Sequence, residues 1–163
     1  MKKIKFILFL PILFFILFII QNLVWGHHYL ISKSLEISLP LSVNIDYQNM
    51  RGGFQYDGEV LAQVHLTDRQ AQKIISNIQK NPHWRKSPIE ERLEIRITDS
   101  SDSFYRVIPK IENGYWFFKN DSPHSINIYD ESELWTVNRF GQHFSVGVLD
   151  LNTNILYFYS YDA

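Results

Sequence analysis

The chain has 163 residues, 45% of them hydrophobic and 20% charged, and no cysteine. This excludes a disordered polymer, and it removes disulfides, thiol nucleophiles, Cys-ligated zinc, iron–sulfur clusters and acylation on cysteine. Beyond Lys2, Lys3 and Lys5 the chain has 13 basic and 17 acidic residues, a formal charge of −4 with no basic stripe, so neither nucleic acid nor an anionic lipid surface is an expected partner.

The three lysines precede an apolar run from Phe6 to Ile20, followed by Gln21-Asn22 and Leu23-Val24-Trp25-Gly26. Charge, apolar run and polar break are the plan of a signal peptide, with Val24 and Gly26 as the small residues of a cleavage site. Residues 4–25 are also long enough, at ~1.5 Å per residue, to span a ~30 Å hydrocarbon core. The retained anchor is preferred, because the run is long for a signal peptide and the cleavage motif lacks alanine; the alternative is secretion after cleavage near Gly26. With every lysine on one side, the positive-inside rule puts the N-terminus in the cytoplasm and the C-terminus outside, a single-pass cell-membrane protein. The expected organisation is an anchor or signal peptide at 1–26, a juxtamembrane segment at 27–40 and an extracytoplasmic domain at 41–163.

From Leu35 to Tyr47 every odd position is apolar, the period of a half-buried strand. Pro40 has no N–H for a ladder, so it marks an edge or a break in that strand, whose firmest part is 41–47. Residues 51–58 form a loop holding Gly52, Gly53 and Gly58, and 59–66 return as an antiparallel strand. Thr67-Asp68-Arg69-Gln70 is a capping box. Ala71, Ile74, Ile75 and Ile78 then mark one face of an amphipathic helix that ends at Asn81-Pro82. Ser87-Pro88-Ile89-Glu90 predicts a second, short helix start, before alternation resumes at Leu93, Ile95 and Ile97. Residues 104–108 and 115–119 predict a hairpin about Asn113-Gly114, and 144–149 with 155–161 a closing hairpin. The fold class is α+β: an antiparallel sheet with one main amphipathic helix packed on it, plus an N-terminal transmembrane or signal helix.

Gly52-Gly53-Phe54, Asp57-Gly58, Trp84 with Pro88, Asn113-Gly114-Tyr115-Trp116-Phe117-Phe118 and Leu156-Tyr157-Phe158-Tyr159 together resemble an uncharacterised family of small exported bacterial proteins. Its members carry GGFxxDG, W…P, NGYxFF and LYxY elements. The resemblance covers about residues 41–161 and implies a fold rather than an activity. Relatives often carry histidines flanking the GGF; here Arg51 and Gln55 stand near those places.

No GxSxG, Walker loop or GxGxxG is present, and no cofactor is expected. The six histidines (27, 28, 65, 83, 124 and 143) lack metal-ligand spacing, and no metal site is expected. His27-His28 reads as a solvated interfacial pair. Asp150-x-Asn152-x-Asn154 begins like a calcium loop, but Ile155 and Tyr161 occupy its required Gly and Glu positions, so a hairpin turn explains it better. Asp46, Asp57 and Glu59 are expected to converge near the Gly-rich loop, as acid–base carboxylates or plain turn and strand-end charges. Trp84, Trp116, Trp135 and Tyr157 to Tyr161 read as core rather than as a ligand groove. The densest mixture of flexible, aromatic and charged groups is Arg51, Phe54, Tyr56 and Asp57, the expected binding surface. The function expected is a membrane-anchored extracytoplasmic binding or accessory module without catalytic activity, held in the lipid bilayer through residues 4–25 beside an envelope protein partner. The alternatives are a small envelope hydrolase using carboxylates and a histidine such as His65 or His83, and an immunity or inhibitor protein.

Overall fold

The computed structural model describes residues 26–50, 58–91, 93–94, 108–121 and 143–162. In chain order these give helix α1 (26–34), β1 (Asn44–Asn49), β2 (Gly58–His65), α2 (Asp68–Ile78), β3 (Trp84–Lys86), β4 (Gly114–Asn120), β5 (His143–Asp150) and β6 (Ile155–Asp162). The strands form one antiparallel sheet in the order β1-β2-β6-β5-β4-β3. Both β1–β2 and β5–β6 are hairpins. Between them α2 carries the chain from β2 to the far edge, and β4, β5 and β6 return step by step to close against β2. The fold is α+β, as the alternating strands and the capped helix predict.

Helix α2 begins where its cap requires. Thr67 Oγ1 accepts the Gln70 N–H at 3.4 Å, and the Thr67 N–H donates to Gln70 Oε1 at 2.8 Å, so two amides at the helix start are satisfied reciprocally. Ala71, Ile74 and Ile78 are buried and Ile75 lies half-buried beside them.

The period-two pattern from Leu35 has a different origin from the expected strand. Residues 26–34 are helical, and Leu35, Ile37 and Leu39 are buried along the helix end and the coil after it. A Schellman cap ends α1: the Ile37 N–H bonds the Ser32 carbonyl at 3.0 Å and the Glu36 N–H the Lys33 carbonyl at 3.3 Å. The strand itself starts at Asn44 and runs to Asn49. The sheet therefore carries a second helix on it, and residues 27–40 add Ile31, Leu35, Ile37 and Leu39 to the main core.

Three further corrections concern the middle of the chain. The short helix expected from Ser87-Pro88 begins later, at residue 91, with the Glu94 N–H on the Glu90 carbonyl at 2.8 Å. Leu93 sits on that helix, fully buried, rather than on a strand. At Tyr115 to Phe117, β4 is flanked by β3 on one side and β5 on the other, so residue 108 does not pair with it there; residues 104–107 lie outside the described residues.

The sheet is buried on both faces. On one, α1 and α2 cover Val60, Ala62, Val64, Phe117, Leu149, Leu156 and Phe158. On the other, Leu61, Trp116, Val146, Val148, Tyr157 and Tyr159 pack against Ile89, Leu93, Ile108 and Ile111. Trp84 and Trp116 are thus core residues, as are Tyr157, Phe158 and Tyr159; Trp135 lies outside the described residues. Each fully buried large apolar side chain contributes roughly 1.5–3 kcal/mol. Among the described residues no helix is long and apolar enough to cross a membrane. Residues 4–25 lie outside the described residues.

Candidate functional site

Arg51, Phe54, Tyr56 and Asp57 lie outside the described residues. The ends of their loop are in place. The Met50 N–H donates to the Glu59 carbonyl at 2.9 Å, and Gly58, at φ 142°, takes a backbone conformation that a Cβ would resist. Gly58 stands opposite Asp162 in the register. The expected convergence of Asp46 with Glu59 does not occur. Asp46 is opposite Gln63, which lies about 13 Å along the strand from Glu59. Asp46 instead meets His65, with Nε2 to Oδ2 at 2.8 Å.

The loop end borders a charged rim that no stretch of sequence announces. On the helix-covered face, β4, β5 and β6 pass from apolar to polar toward the end where Gly58 lies. Along β6 the inward residues are Leu156, Phe158, Ser160 and Asp162; along β5 they are Leu149, Gly147, Ser145 and His143. Tyr115 and Phe117 of β4 give way to Lys119, and the strand leads to Asp121. Opposed Ser145 and Ser160 form a buried polar step beneath the rim.

A chain of contacts joins the rim. His143 Nδ1 pairs with Asp162 Oδ1. The Asp121 N–H donates to the His143 carbonyl at 2.7 Å. Lys119 Nζ lies 3.3 Å from Asp121 Oδ1 and 3.6 Å from Glu36 Oε1, and Glu36 Oε2 is 2.8 Å from His83 Nδ1. Glu36, His83, Lys119, Asp121, His143 and Asp162 thus come from five separate stretches of chain.

Glu36 is the anomaly among them. The cap places it at φ 54°, the left-handed conformation usually given to glycine or asparagine. Neighbouring hydrogen bonds hold it there. Trp84 Nε1 donates to the Leu35 carbonyl at 3.0 Å, and Asn81 Nδ2 to the Glu36 carbonyl at 3.4 Å. A glycine across the sheet lets this corner approach: a Cβ on Gly147 would lie 2.7 Å from Leu35 Cδ2 and 3.0 Å from Trp84 Cη2. The His83 hydrogen bond, aided by the nearby charges of His83 and Lys119, holds the Glu36 carboxyl below the usual carboxylate range despite opposition from burial. A strained residue kept by its surroundings at an exposed ionic cluster marks a place of interest.

The remaining candidates resolve into structure. Asp150 closes the β5–β6 turn, accepting the Asn152 N–H at 2.8 Å and the Thr153 hydroxyl at 2.7 Å. Asn154 takes φ 56° in that turn. His27 and His28 are not a solvated pair: the His27 ring stacks on Tyr47 at 3.6 Å, and His28 Nε2 is 2.9 Å from the Pro40 carbonyl oxygen. His124 lies outside the described residues. Among the described residues no three His, Asp or Glu side chains are grouped to hold a metal ion.

Comparisons with protein-family models, with curated proteins and with solved structures find no match to this chain.

Proposed function

We propose that the chain is a membrane-anchored extracytoplasmic binding module, with its recognition surface formed by the loop 51–57 and the adjoining rim from Glu36 to Asp162. The observation that carries this is the rim itself. Six titratable side chains from five stretches of chain gather at one end of one sheet face, where the floor has narrowed to Ser145 and Ser160. Exposed ion pairs contribute only ~0–1 kcal/mol each to folding, so stability does not account for the gathering. Mixed charges with donors and acceptors of both signs suit a polar protein partner, for which electrostatic complementarity sets orientation and specificity. The retained anchor is supported at the junction. Residue 26 is already helical, His27 is stacked on Tyr47, and Ile31 is fully buried, so a cut after Gly26 would fall at the edge of the packed domain.

Two measurements test this reading. Protease added to intact cells should digest the domain; digestion only after the cells are opened would overturn the orientation. A photo-crosslinker at position 119 should give discrete adducts in native membranes that one at position 73, on the exposed side of α2, does not. Identical patterns from the two positions would remove the rim from the recognition surface.

A second reading, hydrolysis with His83 as base, is favoured by one observation. Glu36 engages Nδ1, the orienting contact that a catalytic histidine needs. If this reading holds, His83→Gln should abolish turnover of an activated ester that the parent hydrolyses. Turnover equal in both would end it.

A further inference from the structure

The large hydrophobic side chains left exposed among the described residues are Tyr29, at 65%, and Leu41, at 71%. They are twelve positions apart in sequence but belong to one corner. The contact between His28 Nε2 and the Pro40 carbonyl oxygen joins their immediate neighbours. The stack of His27 on Tyr47 fixes the same corner to the outer edge strand β1. The described residues begin at the same corner, at Gly26. Tyr29 follows Trp25 by four residues in the sequence.

We infer that Tyr29 and Leu41 form a foot that rests in the outer interfacial layer of the bilayer holding residues 4–25. The inference rests on the anchored reading above. Its occupant follows from where the apolar segment ends: that segment of 22 residues stops four positions before Tyr29, with no spacer to lift the domain away. The chemistry fits the layer between hydrocarbon and water. A tyrosine ring places its apolar body toward the acyl chains and its hydroxyl among the headgroups, as in the aromatic belts of membrane proteins. Leu41 supplies apolar area that would otherwise face water. Lys33, one helical turn above with Nζ 5.8 Å from the Tyr29 ring centroid, has the reach to snorkel toward phosphate. The net negative charge of the rest of the chain gives no long-range pull to the surface, so the foot operates by apolar insertion on a domain already tethered. The binding surface of the module is then presented at a set tilt rather than on a free tether.

The cysteine-free sequence makes the test direct. Tyr29→Cys, Leu41→Cys and, as a control, Lys86→Cys each introduce one labelling site. Lys86 lies on β3 at the opposite edge of the sheet, about 24 Å from β1 at ~4.8 Å per strand. Each full-length variant is reconstituted into phosphatidylcholine vesicles, labelled with an environment-sensitive fluorophore, and checked for flotation with the vesicles. The expected result is flotation of all three. Labels at 29 and 41 should show a several-fold loss of iodide quenching relative to 86, and quenching by lipids nitroxide-labelled near the headgroup. Flotation with labels at 29 and 41 as open to iodide as at 86 overturns the foot and leaves the anchor standing. Failure of the parent chain to float overturns both. Shielding from iodide without quenching by nitroxide lipid, with label-to-label energy transfer between chains, overturns the lipid assignment and gives the corner to a second copy.

Discussion

The two ends of the helix-covered sheet face are built on the same strands with the same alternation, yet they do opposite things. At one end Val64, Leu156 and Leu149 are fully buried within the main core. At the other, three alternating positions further along, the corresponding places hold Gly58, Asp162 and His143, beside the ion pairs of Lys119 and Glu36. Period two states which face a residue joins, but not whether that part of the face is covered. The comparison teaches that a strand can belong to the core at one end and to a candidate recognition surface at the other, without a break in its pattern.

The contrast breaks most visibly at its centre. Phe158→Ala removes a fully buried ring and should cost about 3–5 kcal/mol in urea unfolding. Two residues along, Ser160→Ala should stay within ~1 kcal/mol. Equal costs would mean that the polar end is as much core as the apolar one.

A smaller effect is expected where the two ends meet. Gly147→Ala drives a methyl into Leu35 and Trp84 and should cost about 1–3 kcal/mol. Combining it with Leu35→Val should recover part of that loss, because the two changes share one space. Strict additivity would show that α1 does not press on the sheet at this glycine.

At the rim, Glu36 separates backbone strain from charge. Glu36→Gly and Glu36→Ala both remove the carboxylate, but only glycine accepts φ 54° without penalty. The Gly variant should be the more stable of the two by about 1 kcal/mol. Parity would mean that the cap relaxes when the side chain is lost.

The smallest effect is a pH dependence. The folded-state pKa of Glu36 lies below its ordinary value of 4.5, so its contribution to stability is fully present above 4.5 and is lost as pH falls through the lowered value. The stability gap between the parent and Glu36→Gln should therefore shrink as pH falls below 4.5. A gap unchanged by acid would show that the hydrogen bond to His83 does not discriminate between the charged and neutral carboxyl.

How much of this was legible in advance can be read from particular residues. The cap at Thr67, the face of Ala71, Ile74 and Ile78, and the β5–β6 hairpin all follow from local spacing, because capping, helical period and strand period are short-range properties. The alternation through Leu35, Ile37 and Leu39 misled, because a capped helix end with the coil after it can bury every second residue as a strand does. Edge strand β3, only three residues long, is too short to carry a periodic signal, and it exists because β4 offers it a free side.

The sequence by itself determined the lysine-led apolar start, the absence of cysteine chemistry, the alternating strands and the capped helix. Tertiary structure alone decided which histidine meets which carboxylate, why Gly147 must be small, and that Glu36, Lys119 and Asp162 share one rim. The physical reason is range. Helix and strand preferences act over a few residues along the chain, whereas a charged rim is assembled across strands whose register is set by the packing of the whole sheet.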